Sequence, residues 1–306
     1  MKKEPNPPHV FNSISKLHRS LGLPKPVHPL ISLNNYRDVP REAMKASQAM
    51  LLNFYKISFK TNFRGRLKYG QQYYDFEEGG LSFFAPGQVI AATEDGGDYT
   101  GYTLLVHPDF LLHHPLGTSI RQYSFFAYAA NEALCLSEQE RATIVAIFAT
   151  LEQELAHAID AFSQPILLSQ IEQLLTYSRR YYARQFITRQ AAYHDVVARV
   201  EALLLEYFAT DQPLVTGLPT VHYLAEQLHQ SPRYLSDLLR QHTGQSAQQH
   251  IHQHLLTKAK ELLSAQHLSV AEVAYQLGFE HAQSFSKLFK RKTHATPVEF
   301  QQSLTY

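Results

Sequence analysis

The stretch VHYLAEQLHQSPRYLSDLLRQHTGQSAQQH, residues 221–250, has the same plan as VAEVAYQLGFEHAQSFSKLFKRKTHATPVEF, residues 270–300. In the first, Val221, Leu224, Ala225 and Leu228 follow helical spacing, and Leu235, Leu238 and Leu239 resume it after a break. In the second, Val270, Val273, Ala274 and Leu277 are followed by Phe285, Leu288 and Phe289. The first helices lie about 49 positions apart and the second about 50, which places a one-residue insertion in the turn. These apolar positions are expected to fill a core. The polar residues between them are the ones left to contact a partner.

The turns obey local rules. Ser231 before Pro232 supplies an N-cap hydroxyl followed by a proline where its missing N–H costs nothing. Gly278 follows the last apolar residue of its helix, where a left-handed residue ends a helix cheaply only without a Cβ, and Phe279 folds back onto the apolar stripe. Between the repeats, IHQHLLTKAKELLSAQ places Ile251, Leu255, Leu256, Ala259, Leu262 and Leu263 on one helical face, predicting a longer helix packed against both units. Each unit then reads as helix, turn, helix, a plan that sets its second helix in a DNA major groove. Two such helices on one chain would read two elements about 34 Å apart.

Over roughly the last 90 residues the sequence resembles the AraC/XylS family of transcription regulators. The resemblance rests on LAEQL, SPRYLSDLLRQHTG, KAKELL and the 270–300 segment, with Ala274, Gly278, Phe279, Phe285, Phe289, Lys290 and Pro297 in the family pattern. His294 stands where glycine is common, Leu255 where arginine is common, and Gln301 where a basic residue is frequent. The resemblance implies a regulator that binds double-stranded DNA, pairs as a homodimer and, if an activator, meets RNA polymerase. It places base-reading groups at Arg233, Ser236, Asp237, Ala282, Gln283 and Lys287, of which Asp237 and Ala282 depart from the usual residue types.

The chemistry of the residues gives a wider set. Base edges need forked or paired donors near the start of a groove-lying helix, and phosphates need cations along its flanks. Arg233 suits guanine and Gln283 suits adenine, with His281, Ser284 and Lys287 beside them. Tyr234, Arg240, Lys290, Arg291 and Lys292 are placed for phosphates. The overall charge argues for a localised interface, since a formal net charge of +1 excludes a broadly basic coat.

The N-terminal half reads as strands punctuated by Gly and Pro: VHPLISL, LLNFYKISFK, RGRLKYG, QQYYDF, GGLSFFAPGQVI and GYTLLVH. Alternation within LLNFYKISFK sets Leu51, Asn53, Tyr55, Ile57 and Phe59 against Leu52, Phe54, Lys56 and Ser58. A small barrel or sandwich fits, and LSFFAPGQVI resembles part of the cupin-like domain common in AraC-type regulators. Its lining is expected among Tyr55, Lys56, Tyr73, Tyr74, Phe83, Phe84 and Tyr102, with Arg64 or Arg66 for an anionic ligand, although aromatics in a small barrel are more often core filler. Neither an H-x-H metal set nor a catalytic constellation is written in these strands, so no metal, cofactor or enzymatic role is expected.

Beyond the strands, LSEQERATIVAIFATLEQELAHAIDAF carries Ile144, Ile147, Phe148, Leu151, Leu155, Ile159 and Phe162 on a continuous stripe that starts at Ser137 with Gln139/Glu140. A second helix from Pro165 to about Phe186, with Ile171, Leu174, Leu175 and Tyr182, completes an antiparallel pair suited to packing or dimerisation. A linking helix through Phe208 and a Pro- and Gly-containing hinge follow.

The expected class is α+β in two domains. A cupin-like sensor domain with a helical packing or dimerisation segment spans 1–190, a linker helix and hinge span 191–219, and an all-α domain with two helix-turn-helix units spans 220–306. The expected function is effector-responsive transcription regulation. The alternatives are a cupin-type small-molecule-binding protein or enzyme with a helical appendage, or a helical adaptor. With 44% hydrophobic and 18% charged residues, a single cysteine, Cys135, and neither a spanning segment nor a signal-peptide stretch, a cytoplasmic location is expected.

Overall fold

The computed structural model describes residues 7–40, 49–61, 67–69, 72–74, 79–90, 100–129, 132–188, 190–265 and 268–303, with the backbone alone described at 67–69, 72–74, 188 and 190–194. It divides into two compact units, Met1–Gln185 and Phe186–Tyr306.

In the first unit, strands β1 (His9–Phe11), β2 (Ile31–Asn35), β3 (Met50–Leu52), β4 (Tyr55–Lys60), β5 (Leu67–Tyr69), β6 (Gln72–Tyr74), β7 (Gly80–Phe84), β8 (Gln88–Ile90), β9 (Gly101–Val106) and β10 (Leu134–Cys135) form three sheets. The largest has the order β10-β7-β4-β9-β2 and is antiparallel throughout. The others are β1-β3-β8 and the hairpin β5-β6. Among the described residues these sheets do not close into a barrel; the expectation of a sheet-rich N-terminal half holds at that coarser level. LLNFYKISFK is not one strand: Asn53 and Phe54 interrupt it, and its halves join different sheets.

Alternation in β4 still divides the large sheet into two faces. Tyr55, Ile57 and Phe59 share one face with Phe83, Leu81, Leu104 and Val106, all buried. Lys56, Ser58 and Lys60 share the other with Phe84, Ser82, Leu105 and Thr103. The apolar face is covered by the following elements: Phe59 and Tyr102 stack on Phe148, and Phe83 lies against Phe125 and Phe126.

Helices α1 (Ile14–Ser20), α2 (Pro115–Ser119), α3 (Glu138–Ala156) and α4 (Ser163–Thr188) complete this part of the chain. Helix α3 starts in a reciprocal cap, with the Ser137 side chain on the Glu140 backbone N–H and the Glu140 carboxylate on the Ser137 N–H, as the sequence predicts. The same carboxylate accepts from Arg184, whose guanidinium also donates to the Cys135 carbonyl at 2.7 Å. The expected continuous stripe, however, is cut short. Helix α3 ends at Ala156, and Ile159 and Phe162 lie in the bend before α4, 55% and 71% exposed. Asp160 makes that bend, accepting from the Phe162 and Ser163 backbone N–H groups.

In the second unit, α5 (Gln190–Ala209) and α6 (Gln212–Thr216) precede α7 (Val221–Gln227) and α8 (Pro232–Thr243), then α9 (Ala247–Ser264), then α10 (Val270–Gln276), α11 (Ala282–Thr293) and α12 (Pro297–Ser303). The long helix α9 buries Ile251, Leu255, Ala259 and Leu263, one per turn, and contacts helices of both repeats. One core joins Tyr207 and Phe208 of α5 to Leu255, Ala259 and Leu263 of α9 and to Val273, Ala274, Leu277, Phe279, Phe285, Leu288 and Phe289. Thus the segment expected as a linker places two aromatic residues inside the core of the second repeat. No described helix is long and apolar enough to cross a membrane.

Candidate nucleic-acid interface and sensor face

The repeat extends to the hydrogen bonds that stop each helix, although at the starts Ser231 caps α8 by its side chain and His281 makes no such bond at α11. Thr220 caps α7 and Ser269 caps α10; Ser246 with Gln249 caps α9 and Thr296 with Glu299 caps the start of α12. Each first helix ends with paired bonds, His229 N–H to Glu226 O and Gln230 N–H to Ala225 O in one repeat, Gly278 N–H to Tyr275 O and Phe279 N–H to Ala274 O in the other. Each second helix ends on a left-handed residue, Gly244 bonded to Arg240 O and His294 bonded to Lys290 O. Thr243 and Thr293 back-bond to Leu239 and Phe289, both at 2.8 Å. Such matched capping gives α8 and α11 equivalent places in their repeats.

The expected base readers occupy the outward sides of those helices. Arg233 is exposed and Ser236 half-buried on α8; on and before α11, His281, Gln283, Ser284 and Lys287 are exposed and Ala282 is half-buried. Arg240, Lys290, Arg291 and Lys292 are exposed on the expected phosphate side. Two residues depart from the roles given to them. Tyr234 is fully buried, its ring against Phe186 at 5.2 Å, so its side chain is core rather than a phosphate contact; its place in the turn of α8 faces inward beside Leu235 and Leu238. Asp237, mostly buried at 14% side-chain exposure, accepts from Arg240 Nη1 at 3.1 Å and lies 3.4 Å from Arg233 Nε. It sits between two cations and braces them. Sequence reasoning missed this role, although the spacings of three and four residues from Asp237 to the arginines carry the signal.

The proposed ligand lining of the first unit separates onto the two faces of its large sheet. Tyr55 and Phe83 lie on the apolar face and are buried core; burial, outweighing Arg121, raises the Tyr55 phenol pKa. Tyr102 stacks on Phe148, and burial with the nearby Glu152 raises its pKa too. Tyr55 and Phe83 are therefore core residues and Tyr102 a half-buried one on the same face, for the period-two reason that alternate side chains face the covering elements. Lys56 and Phe84 point to the other face, with Lys56 Nζ over the Phe84 ring at 5.7 Å. Arg64 and Arg66 lie outside the described residues, as do the side chains of Tyr73 and Tyr74.

The polar face also holds residues that sequence reasoning did not single out. Ser58 and Thr103 are opposite one another on β4 and β9, and both hydroxyl oxygens are buried. Tyr36 stands over them: burial alone would raise its phenol pKa, but Lys56 and Lys60, with the hydroxyls of Ser58 and Thr103, bring it below the ordinary tyrosine value. The alternation Lys56, Ser58, Lys60 was the available sign that one side of β4 is polar. No described group of three or more His, Cys, Asp or Glu residues is arranged to hold a metal ion.

Comparison with known proteins places the repeat in a family. Residues 224–303 match the helix-turn-helix domain family. The HTH-type transcriptional activator RhaS of Salmonella arizonae is 39% identical over 79 residues, covering 26% of this chain and 28% of that protein; the same name and values recur for Salmonella newport. The match thus spans little more than a quarter of these relatives. Among solved structures, the C-terminal domain of AraT, a response regulator from Geobacillus stearothermophilus, is 27% identical, covering 35% of this chain and 84% of that one at a TM-score of 0.31. ToxT from Vibrio cholerae is 13% identical, covering 90% of this chain and 100% of that one at a TM-score of 0.30. Residues 224–303 thus form a helix-turn-helix domain similar to that of the transcriptional activator RhaS.

Proposed function

We propose that the protein is a sequence-specific transcription regulator that reads DNA with α8 and α11 and adjusts that reading through its N-terminal unit. The observation that carries this is the repeated helix pair with matching helix ends, each second helix presenting an exposed polar side and both pairs packed on one central helix. Neither an enzyme with a helical appendage nor an adaptor gives a reason for two such surfaces at fixed separation. The segregation of polar residues onto one face of the large sheet supports a sensor role, and a cupin-like arrangement of these strands belongs to the same reading.

The sequence divisions 1–190, 191–219 and 220–306 and a cytoplasmic location are kept as proposals. So is homodimerisation, supported by the apolar exposure of Ile159, Phe162 and Ile166. RNA polymerase is the proposed further partner if the regulator activates. Effector binding would shift the population of arrangements competent for DNA.

The test is in-vitro selection of fragments bound by the full chain at stated salt. A motif of two elements spaced by about one helical turn supports reading by both helices. A chain that enriches nothing, or enriches DNA without sequence preference, refutes the reading.

A further inference from the structure

One flank of α8 is held by a residue from outside the matched helix-turn-helix domain. Phe186 lies in the last turn of α4 and belongs to the second unit, well ahead of the matched residues 224–303. It is 5% exposed, and its ring is tilted against that of Tyr234 at 5.2 Å between centroids. Its carbonyl lies 2.8 Å from His242 Nε2; a carbonyl only accepts, so Nε2 carries the proton and donates. Tyr234 is in the first turn of α8 and His242 in the last. One residue therefore grips both ends of that helix, which lie about 12 Å apart along its axis at about 1.5 Å per residue.

At about 100° per residue, Tyr234 falls between Leu238 on the core face and Asp237 on the outward side. Asp237 is the carboxylate 3.4 Å from Arg233 Nε and 3.1 Å from Arg240 Nη1, so the flank that Phe186 packs on adjoins the residue that aims both arginines. Rolling a helix of about 5–6 Å radius by about 15° carries its outer side chains about 1.5 Å, enough to take a base-edge hydrogen bond out of range. The second repeat is arranged differently. Its places equivalent to Tyr234 and His242 are Ser284 and Lys292, both exposed, so this flank of α11 is open.

We propose that Phe186 is a positioning residue for DNA reading: through Tyr234 and His242 it sets the roll of α8, and so the aim of Arg233 at its base edge, while α11 works without this brace. This rests on the regulator reading and adds to it a specificity-determining residue outside the helix-turn-helix repeats. Phe186 acts through other side chains rather than on DNA itself.

The experiment is competition gel-shift with the full chain against single-base variants of the two-element operator recovered by selection, with active fractions fixed first by stoichiometric titration. The element read by α8 is the one whose preference Arg233→Ala relaxes. Phe186→Ala should lose about fivefold or more of the preference in that element and none in the other, without exceeding the loss caused by Arg233→Ala. Phe186→Leu should recover most of it, since an apolar side chain of similar size refills the space. Combining Phe186→Ala with Arg233→Ala should lose no more preference than Arg233→Ala alone, whereas independent effects would add. If Phe186→Ala fails to fold by circular dichroism, His242→Leu removes the donor to the Phe186 carbonyl and should lose several-fold in the same element, with His242→Gln restoring it. Equal loss in both elements, additive losses in the double variant, an operator indifferent to Arg233→Ala, or unchanged preference in folded Phe186 and His242 variants overturns the positioning role and leaves Phe186 as core packing. Any of these with a parent chain that still selects a motif refutes the positioning role alone; a parent chain that selects no motif refutes the regulator reading, and the positioning role falls with it.

Discussion

The two helix-turn-helix repeats have the same backbone and opposite choices of residue at its two left-handed positions. The first repeat ends its first helix on His229, φ 54°, and its second on Gly244, φ 74°. The second repeat ends its first helix on Gly278, φ 90°, and its second on His294, φ 65°. Histidine tolerates this conformation better than most side chains, though at a cost that glycine avoids. What decides where glycine is indispensable is the neighbour. A Cβ at Gly278 would come within 2.6–2.8 Å of the backbone of Gly217 and of the Pro213 carbonyl, whereas nothing lies within 4 Å of one at Gly244. The turn at 278 is therefore a packing site for the 213–217 segment, and the turn at 244 is open around its Cβ direction.

The largest effect should come from breaking this difference directly. Gly278→Ala adds a strained left-handed alanine to contacts against backbone that has no flexible side chain to move aside, and should destabilise the second unit by about 3 kcal/mol or more. His229→Gly, at the equivalent place, should be neutral or slightly stabilising. Urea unfolding of the two variants followed by circular dichroism checks this; a Gly278→Ala protein as stable as the parent would remove the packing role from that turn.

The repeats also differ in the side chains on the outward sides of their second helices. At equivalent places the first has Arg233, Asp237 and Arg240, the second Gln283, Lys287 and Lys290. Arg233→Ala and Gln283→Ala should each relax preference at different base pairs, at a cost of about 1–3 kcal/mol, and Lys290→Ala should weaken all sequences alike and flatten the salt dependence. Competition binding against single-base operator variants at two salt concentrations separates these outcomes. Loss of preference at the same base pairs in both base-reading variants would mean that the two helices do not read separate elements.

Asp237 gives a smaller and more specific contrast. In the second repeat a cation stands where Asp237 holds Arg233 and Arg240, so the first repeat carries its own counter-charge. Asp237→Asn should raise affinity for nonspecific DNA by a few-fold, by removing an anion near phosphates, while lowering the ratio of specific to nonspecific binding as Arg233 loses its fixed orientation. An unchanged ratio would reduce Asp237 to an ordinary surface ion pair, of the kind worth little on its own.

The repeat was legible in the sequence because it is local. Helical spacing found every buried residue of α8 and α11 except Tyr234, and Ser231–Pro232 and Gly278–Phe279 marked the turns. Tyr234 escaped because its inward direction depends on Phe186, distant in sequence. The division of the large sheet was half legible: alternation placed Lys56 and Ser58 together, but which face the helices cover is set by Phe125, Phe126 and Phe148, contacts that no strand pattern contains. The stripe carried on to Phe162 failed for a related reason, since the Asp160 side chain turns the chain where apolar periodicity alone continues it.

The last contrast lies in the second-helix ends, where the first repeat has glycine and the second histidine. Backbone and bonding there are nearly the same: Gly244 N–H reaches Arg240 O at 3.0 Å and His294 N–H reaches Lys290 O at 2.8 Å. His294 is exposed, and removing its side chain takes nothing from the core. His294→Gly should therefore stabilise the second unit by about 1 kcal/mol at most, because relief of the left-handed strain is partly offset by the greater freedom of glycine in the unfolded chain. The reciprocal Gly244→His should cost about the same in the first repeat, and the double exchange should return close to the parent stability. Should His294→Gly instead destabilise, or the exchange fail to balance, the histidine would have to be held by a contact of its own, and the two helix ends would no longer be equivalent.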